Sequence, residues 1–497
     1  MKELNSLPTS SSQTKHLDLN ARAYREMVEN GFAPNFEPAI NQEIASYKNN
    51  NSKVQFSSVR DLRSLLWSSI DNPDSRDLDQ LEYVEQLPNK DVRLLIAIAD
   101  VDALVPKDSA TDHHASINTT SVYTGVVTYP MLPDQLSTDL TSLIQDSDRQ
   151  AIVIDLTIDD TGSILKSDIF PALVRNQAKL DYIMVGNWLE DGDPTPEKIN
   201  NVPGLSAQLR LQNDLKERLR LLRQQQGSLF LETLEATTVM RDGEVTDLQL
   251  VKHNPARDLI ENFMIAGNIA ISHFLEAKQW PSIRRVVKTP ERWSRIIEVA
   301  SSFGEQLPAV PNSKALSNFL SKRKDADPLR FPDLSLTIVK LLGRGEYTVE
   351  IPGQIDEGHF ALAIHDYTHA TAPNRRYADL ITQRLVKASL LGKSSPYTVD
   401  ELKGITSHCT EREDAANKVE RTMRKVAAAV LLSKHIGETF EGIVTGIKDD
   451  ATYVRLFKPP AEGRIIQGEH GLDVGDKVNL RLMATDPERA FIDFARK

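Results

Sequence analysis

The sequence predicts a mixed α/β (α+β) main domain followed by a small all-β barrel. Residues 92–105 form an apolar run rich in β-branched side chains, which is typical of a buried strand ending near Asp100. Helices are predicted for residues 256–278, where apolar side chains recur at helical spacing, and for the long charge-rich stretch 398–435. From residue 437 onward, short segments alternate with period two between Gly and Asp turns, which predicts a five-stranded barrel.

The chain divides into three predicted parts. Residues 1–54 begin with a stretch rich in Ser, Thr and Gln, predicted to be disordered over residues 1–16, and continue with two short amphipathic helical stretches. Residues 55–435 mix strand and helix patterns and form the predicted main domain. Residues 436–497 form the predicted barrel.

Composition is that of an ordinary globular protein, with 40% hydrophobic and 26% charged residues. The single cysteine, Cys409, rules out an intramolecular disulfide bond and fits a reducing compartment. The sequence shows no leader-like apolar segment at its start and no apolar run of about 18 residues, the length that predicts a membrane helix. We therefore expect a cytoplasmic protein with no membrane partner, and a monomer, because coiled-coil heptads are absent.

Charge is distributed unevenly along the chain. The formal net charge of −11 is unfavourable for binding nucleic acid, which draws much of its affinity from Lys and Arg. Residues 71–170, however, hold 19 Asp and Glu against 6 Lys and Arg, whereas residues 371–430 hold 11 Lys and Arg against 7 Asp and Glu. The acidic and basic side chains are thus concentrated in different segments, although mildly basic surface helices are common.

The strongest functional signal is an acidic cluster. Within nine residues the chain places Asp71, Asp74, Asp77 and Asp79, followed directly by Gln80. Carboxylates this close repel one another unless cations lie between them, and such oxygen ligands suit Mg(II). Two ions held this way are typical of phosphoryl-transfer hydrolysis. The alternative is an exposed acidic loop or a calcium-binding turn. A simple EF-hand is disfavoured, because Arg76 occupies the sixth position, where glycine is needed.

Three further motifs follow the acidic cluster. They are the apolar run 92–105, the stretch SVYTGVVTYPMLPDQLSTDLTSL at 121–143, and YTHATAPNRRYADLITQRL at 367–385. In this order, the four motifs resemble the RNB catalytic domain of the RNase II / RNase R family of exoribonucleases, over roughly residues 55–430. The tail resembles the S1-type OB fold that closes many members, so the resemblance implies an RNB domain with a C-terminal OB-type barrel.

The resemblance also implies a reaction. Carboxylates matching Asp71, Asp77 and Asp79 hold magnesium in the family, and Arg375 matches the arginine beside the scissile phosphate. The implied catalytic residues are Asp79 and Arg375. The implied activity is hydrolysis of single-stranded RNA from its 3′ end to 5′-mononucleotides, with Mg(II), or alternatively Mn(II), as cofactor.

The fourth family acid is replaced by Gln80 in this chain. A glutamine carbonyl can ligate Mg(II) but carries no charge and cannot accept a proton. Nearby acids, namely Asp74, Asp100 or Asp102, are candidates to compensate. One alternative is therefore a catalytically weakened or silent RNA-binding member of the family. A second is a metal-dependent phosphohydrolase acting on small nucleotides, against which Tyr123, Arg375 and the barrel argue.

Four residues of the main domain are implied to contact RNA. Tyr123 matches the aromatic residue that stacks on the 3′-terminal nucleotide, with packing in the core as the structural alternative. Phe230 is a weaker candidate for the other half of that clamp. Glu261 resembles the acid that contacts the terminal ribose, with an uncertainty of one residue because Asn262 follows. Arg376 is predicted to make a phosphate contact or a structural one.

The barrel is predicted to bind single-stranded RNA with aromatic platforms and basic side chains. Tyr453 and Arg455 are the main candidates, with Phe440, Phe457 and Lys458 beside them. For Phe440 and Phe457, a place in the barrel core is the alternative.

Only about fifty residues precede the predicted catalytic domain. Long family members carry two cold-shock-type OB domains in that place. The chain is therefore expected to be a reduced member without these N-terminal domains. We expect weaker binding of single-stranded RNA and a steeper dependence on salt.

Overall fold

The computed structural model describes residues 17–49, 59–191, 194–251, 253–354, 358–448 and 451–497. The predicted disordered start, residues 1–16, lies outside the described residues. The junction predicted at residues 54–55 also falls outside them.

The strands of the described residues are β1 Arg60–Asp61, β2 Ser68–Asp71, β3 Gln80–Gln86, β4 Val92–Ala99, β5 Val122–Tyr123, β6 Thr128–Tyr129, β7 Asp148–Ile158, β8 Ile164–Arg175, β9 Ala178–Asp181, β10 Glu235–Arg241, β11 Glu244–Val251, β12 Ser282–Val286, β13 Glu346–Glu350, β14 Thr439–Lys448, β15 Ala451–Leu456, β16 Glu462–Gln467, β17 Lys477–Asp486 and β18 Phe491–Arg496.

The α-helices of the same residues are α1 Leu19–Glu29, α2 Pro38–Asn49, α3 Ala110–Asn118, α4 Tyr182–Asp191, α5 Glu197–Asn200, α6 Leu205–Gln226, α7 Pro255–Ala277, α8 Trp293–Ser302, α9 Ser313–Ala326, α10 Phe331–Leu342, α11 Tyr377–Leu390 and α12 Val399–Leu432.

A seven-stranded sheet forms the centre of the main domain, in the order β1-β8-β7-β4-β3-β2-β9. Most neighbouring strands are antiparallel, and β1 with β8 and β2 with β9 are the parallel pairs. The predicted strand in residues 92–105 is β4, which ends at Ala99 in the middle of the sheet. Asp100 caps the short 3₁₀ turn that follows by accepting a hydrogen bond from the Ala103 N–H. The apolar run thus forms the central strand of the sheet, and the chain becomes polar at Asp100.

Helix α7 packs on one face of this sheet. Its N-terminus follows the predicted signal, because the Asn254 side chain accepts a hydrogen bond from the Arg257 N–H and Pro255 occupies the first turn. Gly267 permits the close approach, since a Cβ there would lie 3.2 Å from the Cδ1 atoms of Ile96 and Ile154. The predicted helix is confirmed.

Five C-terminal strands form a closed barrel in the order β14-β15-β16-β18-β17. Its core holds alternating apolar side chains such as Val444, Leu480 and Phe494, all fully buried. The predicted fold class, a mixed α/β domain with a C-terminal all-β barrel of OB type, is therefore confirmed.

Helix α12 connects the parts of the molecule. A capping box between Thr398 and Glu401 fixes its start, as expected for the predicted long helix. Its middle packs Val419 and Met423 into one apolar cluster with α1, and its end packs Leu432 into the core of the barrel. Helix α12 therefore ties the N-terminal helix, the main domain and the barrel together.

Within the described part of the chain, no helix combines the length and the apolar character needed to cross a membrane.

Candidate active site

The acidic cluster lies on the loop that joins β2 to β3. Asp71 ends β2 and accepts hydrogen bonds through Oδ1 from the Asn72 N–H and, at 2.8 Å, from the Ser75 hydroxyl. Asp74 is exposed, Asp77 is half-buried and Asp79 is only 2% exposed. The loop therefore turns from solvent into the protein as it approaches β3.

Neighbouring segments hold this loop in place. The Ser142 hydroxyl accepts a hydrogen bond from the Leu78 N–H at 3.0 Å and donates one to the Arg76 carbonyl at 2.7 Å. The Leu143 N–H donates to the Leu78 carbonyl at 2.9 Å. The Lys179 ammonium donates to the Ser75 carbonyl. Because these bonds fix the backbone, the carboxylates are positioned before any ligand arrives.

Asp79 lies next to Arg375, which follows it by nearly 300 residues in the sequence. The Arg375 Nε lies 3.5 Å from Asp79 Oδ2, and the Asn374 N–H donates to Asp79 Oδ1 at 3.0 Å. Burial raises the pKa of Asp79 to about 7, against the lowering effect of Arg375 and the Asn374 N–H. The two predicted catalytic residues are thus in one place, and a buried carboxylate there favours a cationic partner.

Tyr123 lies on the other side of the acidic loop. Its hydroxyl is 3.4 Å from Asp77 Oδ2, and its side chain is 43% exposed, which argues against the alternative of core packing. The Ser121 N–H donates to the Arg375 carbonyl at 3.0 Å, and the Tyr377 N–H donates to the Thr119 carbonyl at 2.8 Å. These bonds fix the segment that carries Tyr123 to the segment that carries Arg375.

The donor set fits a divalent cation. Three carboxylates, those of Asp71, Asp77 and Asp79, are oxygen ligands of the kind Mg(II) and Mn(II) take. The pKa of Asp77 is raised, first by burial and also by the Asp71 charge. A bound cation would relieve both effects, so the electrostatics favour a metal at this loop.

Gln80 begins β3 opposite Ile98 and is 8% exposed. Two residues further along the same strand, Glu82 is fully buried, and neither carboxylate oxygen has a hydrogen-bond partner among the described residues. Burial, and secondarily the charge of Asp71, raise the pKa of Glu82 well above its usual range. The sequence reasoning did not assign Glu82 to this site.

The acids suggested as compensation for Gln80 are mostly engaged elsewhere. The Lys387 ammonium lies 2.6 Å from Asp100 and 2.9 Å from Asp102, and all three belong to a buried group at the end of β4. The Arg384 guanidinium lies 3.1 Å from Asp102. Asp74 points into solvent on the loop. Asp100 and Asp102 are therefore structural partners of two cations.

Helix α7 brings a second group of residues to the loop. The Arg257 Nη2 donates to Asn72 Oδ1 at 3.0 Å, and its guanidinium lies 4.4 Å from the centre of the Tyr182 ring. Glu261 lies one helical turn after Arg257 on the same face. Arg257 and Tyr182 were not predicted, because no local motif links residues 182 and 257 to the acidic loop.

Glu261 rather than Asn262 is available for a ligand. Asn262 is buried, donates to the Asp258 carbonyl at 2.7 Å and accepts from Arg223 at 2.6 Å. The Glu261 side chain is solvent-accessible. Partial desolvation raises the pKa of its carboxyl group, whereas the charge of Arg223 lowers it. Of the two neighbouring residues, the exposed Glu261 thus stays the candidate for a ribose contact.

Phe230 lies beside this second group. Its ring is 5.8 Å from that of His253, is stacked on Phe331 at 6.2 Å and has the Lys324 ammonium 3.7 Å above its centre. A base stacking on the Lys324 side would therefore have to displace that ammonium.

Two of the side chains predicted to contact RNA pair with acids inside the protein. The Arg376 fork is taken by Asp379, with bonds of 2.9 and 2.7 Å, and so the structural contact is favoured over a phosphate contact. Arg455 is almost fully buried, and its Nη2 donates to Asp333 of α10 at 2.8 Å, which leaves no free fork for RNA. Tyr453, in contrast, is exposed on the barrel.

The aromatic neighbours of Tyr453 differ from one another. Phe440 packs partly against the barrel core, in line with the core alternative, whereas Phe457 is exposed.

Another acidic group lies away from the loop. Carboxylate oxygens of Glu276, Glu350 and Asp366 lie within 4.8 Å of one another. The Arg284 guanidinium pairs with Glu350 and is 4.0 Å from Asp366, so a protein cation already balances this group. Glu276 lies about 28 Å along α7 from Arg257, at 1.5 Å per residue. It is therefore separate from the aspartate loop.

Solved structures share the fold of this chain. RNase R from Mycoplasma genitalium in complex with ribose-methylated single-stranded RNA matches with a TM-score of 0.87 and 23% identity, covering 97% of this chain and 78% of that chain. Yeast Ssd1, described as a pseudonuclease, matches with a TM-score of 0.70 and 16% identity, covering 93% and 57%. At these identities the likeness concerns the fold alone.

Curated relatives are ribonucleases. Ribonuclease R from Thermotoga maritima is 29% identical over 422 residues, which cover 82% of this chain and 57% of that protein. Ribonuclease R from Escherichia coli strain K12 is 26% identical over 494 residues, which cover 92% and 60%. The chain thus spans less than two thirds of the length of these relatives.

Family comparison covers most of the chain. The RNB domain matches residues 59–392, which include the acidic loop, Tyr123 and Arg375, and the RNase II-type exonuclease C-terminal S1 domain matches residues 438–497, which form the barrel. The chain therefore belongs to the RNB-domain family of the RNase II and RNase R type.

Proposed function

We propose that this chain is a metal-dependent exoribonuclease that hydrolyses single-stranded RNA from the 3′ end to 5′-mononucleotides. The observation that carries the proposal is the convergence of the acidic loop, Tyr123 and Arg375. The Arg375 Nε is 3.5 Å from Asp79, and the Tyr123 hydroxyl is 3.4 Å from Asp77. A stacking surface, a guanidinium and carboxylates at one place suit the cleavage of a terminal phosphodiester.

Each side chain has a role that its environment supports. The Arg375 guanidinium can donate to phosphoryl oxygens as charge develops on them, and so stabilises the transition state. The buried Asp79 carboxylate can accept a hydrogen bond from the attacking water and orient it. The exposed Tyr123 ring offers a face for the last base.

Asp71, Asp77 and Asp79, with the Gln80 carbonyl, would hold Mg(II), or Mn(II) in its place. When bound, such an ion supplies a Lewis acid that stabilises charge on the phosphoryl oxygens.

Sugar recognition falls to the second group of residues. The accessible Glu261 carboxylate can accept a hydrogen bond from a ribose hydroxyl, and contacts to the 2′-hydroxyl distinguish RNA from DNA. Tyr453 on the barrel can stack on a base further along the strand. We expect the protein to act as a cytoplasmic monomer.

The test is a time course on 5′-labelled single-stranded RNA with Mg(II) or Mn(II), comparing wild type, Asp79→Asn and Gln80→Asp. Wild type should give a ladder that shortens from the 3′ end. Asp79→Asn keeps the shape of the side chain but removes its charge, and should lower the rate by at least about 100-fold. Gln80→Asp should not lower the rate.

Asp74→Asn is the matched control, because Asp74 is an exposed carboxylate on the same loop. Its rate should stay within about twofold of wild type. A wild-type protein that binds RNA without cleaving it, together with an active Gln80→Asp variant, would instead identify a silenced RNA-binding member. Faster hydrolysis of dinucleotides than of long RNA would point to a phosphohydrolase of small nucleotides.

A further inference from the structure

Glu82 is a buried acid on strand β3. Its side chain is 0% exposed, and both carboxylate oxygens lack a hydrogen-bond partner among the described residues. Its cross-strand neighbour Ser68 is also fully buried, and its hydroxyl is likewise unpartnered. An ionised carboxylate in such a place costs several kcal/mol unless a charge or a metal compensates it. A cation bound beside Glu82 would remove that cost.

The strand places Glu82 beside the altered ligand position. Side chains at i and i+2 of a strand point to the same face, so Gln80 and Glu82 share one side of β3. Their Cα atoms are about 7 Å apart at the usual rise of a strand, a gap that the longer Glu side chain can partly close. On the neighbouring strand β2, Ser68 pairs with Glu82 and Asp71 ends the strand three residues later, toward the Gln80 end of β3.

Other nearby acids do not provide the missing charge. Asp100 and Asp102 are paired with Lys387, and Asp74 is exposed. Glu82 differs from all three, because it is buried, unpartnered and on the same strand face as Gln80.

We propose that Glu82 supplies the carboxylate that Gln80 lacks, so that Glu82, Asp71 and the Gln80 carbonyl hold one divalent cation together. The inference rests on the proposed metal-dependent function and deepens it, because it places the charged ligand two residues further along β3, at Glu82. Charge at the site is thus kept although the acid at position 80 is absent.

The test measures Mn(II) binding to the RNA-free protein by titration calorimetry and by the electron paramagnetic resonance signal of free Mn(II). Glu82→Gln keeps the side-chain shape and removes the charge. Because ligand charge sets the affinity of such sites, Mn(II) should bind on the order of tenfold more weakly or worse. Gln80→Asp/Glu82→Gln returns the charge to position 80 and should recover most of that loss.

Glu85→Gln is the matched control, because Glu85 is an exposed acid on the same strand. It should bind Mn(II) with wild-type affinity. Asp71→Asn should weaken binding as strongly as Glu82→Gln, since both residues are assigned to one ion.

Folding of each variant is checked by circular dichroism and thermal unfolding in EDTA. Glu82→Gln should be folded and at least as stable as wild type without metal, because metal-free wild type must either bury an unpaired carboxylate or hold it protonated. If it does not fold, Glu82→Met, an apolar side chain of similar volume, serves for the same titration and should show the same loss of affinity.

The outcomes separate the inference from the proposed function. Wild-type affinity in a folded Glu82→Gln or Glu82→Met variant, with loss of affinity in Asp71→Asn, would overturn the role of Glu82 and leave the metal-dependent nuclease standing. A wild-type protein that binds no Mn(II) would overturn both.

Discussion

Buried charges in this protein fall into two kinds. Most are neutralised inside the fold, as Lys387 is by Asp100 and Asp102 and as Arg376 is by Asp379. Asp79 differs, because its guanidinium partner Arg375 is partly exposed and free to contact a ligand as well. A buried carboxylate with a raised pKa beside a partly exposed cation is typical of functional sites, where perturbed pKa values gather.

His359 gives a pH dependence that is independent of the site. Burial lowers its pKa to about 4, and Arg285 adds to the effect. Above about pH 6.5 the His359 ring is neutral in both the folded and the unfolded state, so it does not lower the free energy of unfolding. As the pH falls toward 4, the unfolded chain binds the proton first, and the free energy of unfolding drops by up to about 3 kcal/mol.

His359→Asn should flatten this part of the pH profile. Asparagine can keep the acceptor that the His359 ring offers to the Leu362 N–H, but it does not titrate. Thermal unfolding of both proteins from pH 7.5 to pH 4.5 provides the measurement. Parallel curves for wild type and variant would contradict the prediction.

Single residues also show where sequence reasoning stops. Asp79, Tyr123 and Arg375 were placed together through motifs, and the structure brings them together. The pairing of Arg455 with Asp333 was not predicted, because period-two alternation identifies an outward position on a strand but not the helix that covers it. Glu82 was missed since the strand pattern does not say that both faces of β3 are covered.

The acidic loop depends on its neighbours more than on its own sequence. Loop 72–79 has two hydrogen bonds to the Ser142 hydroxyl, which is fully buried. Local patterns predicted β4, which follows the loop and β3, whereas the anchor of the loop comes from a segment more than sixty residues later. Contacts of this range cannot be read from local periodicity.

Ser142→Ala should therefore weaken metal binding without touching a ligand. It leaves the Leu78 N–H and the Arg76 carbonyl without their partner, at a cost of about 2 kcal/mol in total. Mn(II) affinity should fall several-fold, and the thermal unfolding temperature should fall as well. Ser46→Ala, at an exposed serine of α2, is the control and should change neither quantity. Unchanged Mn(II) affinity in Ser142→Ala would refute the anchoring role.

The barrel is attached to the main domain through polar as well as apolar contacts. Arg455 of β15 and Asp333 of α10 form a pair that is about nine-tenths buried on both sides. The apolar part comes from the end of α12, where Leu432 enters the barrel core. The fold class was predicted from the sequence, but this attachment was not. It joins β15 to α10, and neither element has a local sequence pattern that indicates its partner.

Arg455→Met should loosen the barrel. It leaves the Asp333 carboxylate buried without a partner, which costs about 3–5 kcal/mol. Limited proteolysis should then cut faster between residues 433 and 438. Adding Asp333→Leu should restore most of the resistance, because the unpaired charge is gone.

Arg464→Met is the control for that experiment. It breaks an exposed barrel pair with Asp493, and so should cost no more than about 1 kcal/mol and leave proteolysis unchanged. Equal protease resistance of Arg455→Met and wild type would show that the buried pair does not hold the barrel.

Helix α12 also has a consequence for the order of events during synthesis. The apolar face of α1 is covered by Val419 and Met423, which emerge about 390 residues later. At about 5–20 residues per second, translation needs roughly 20–80 seconds to deliver them. Until then the part of the apolar surface of α1 that these two residues cover has no native partner. Helix α1 is therefore expected to dock late, although it is synthesised long before α12.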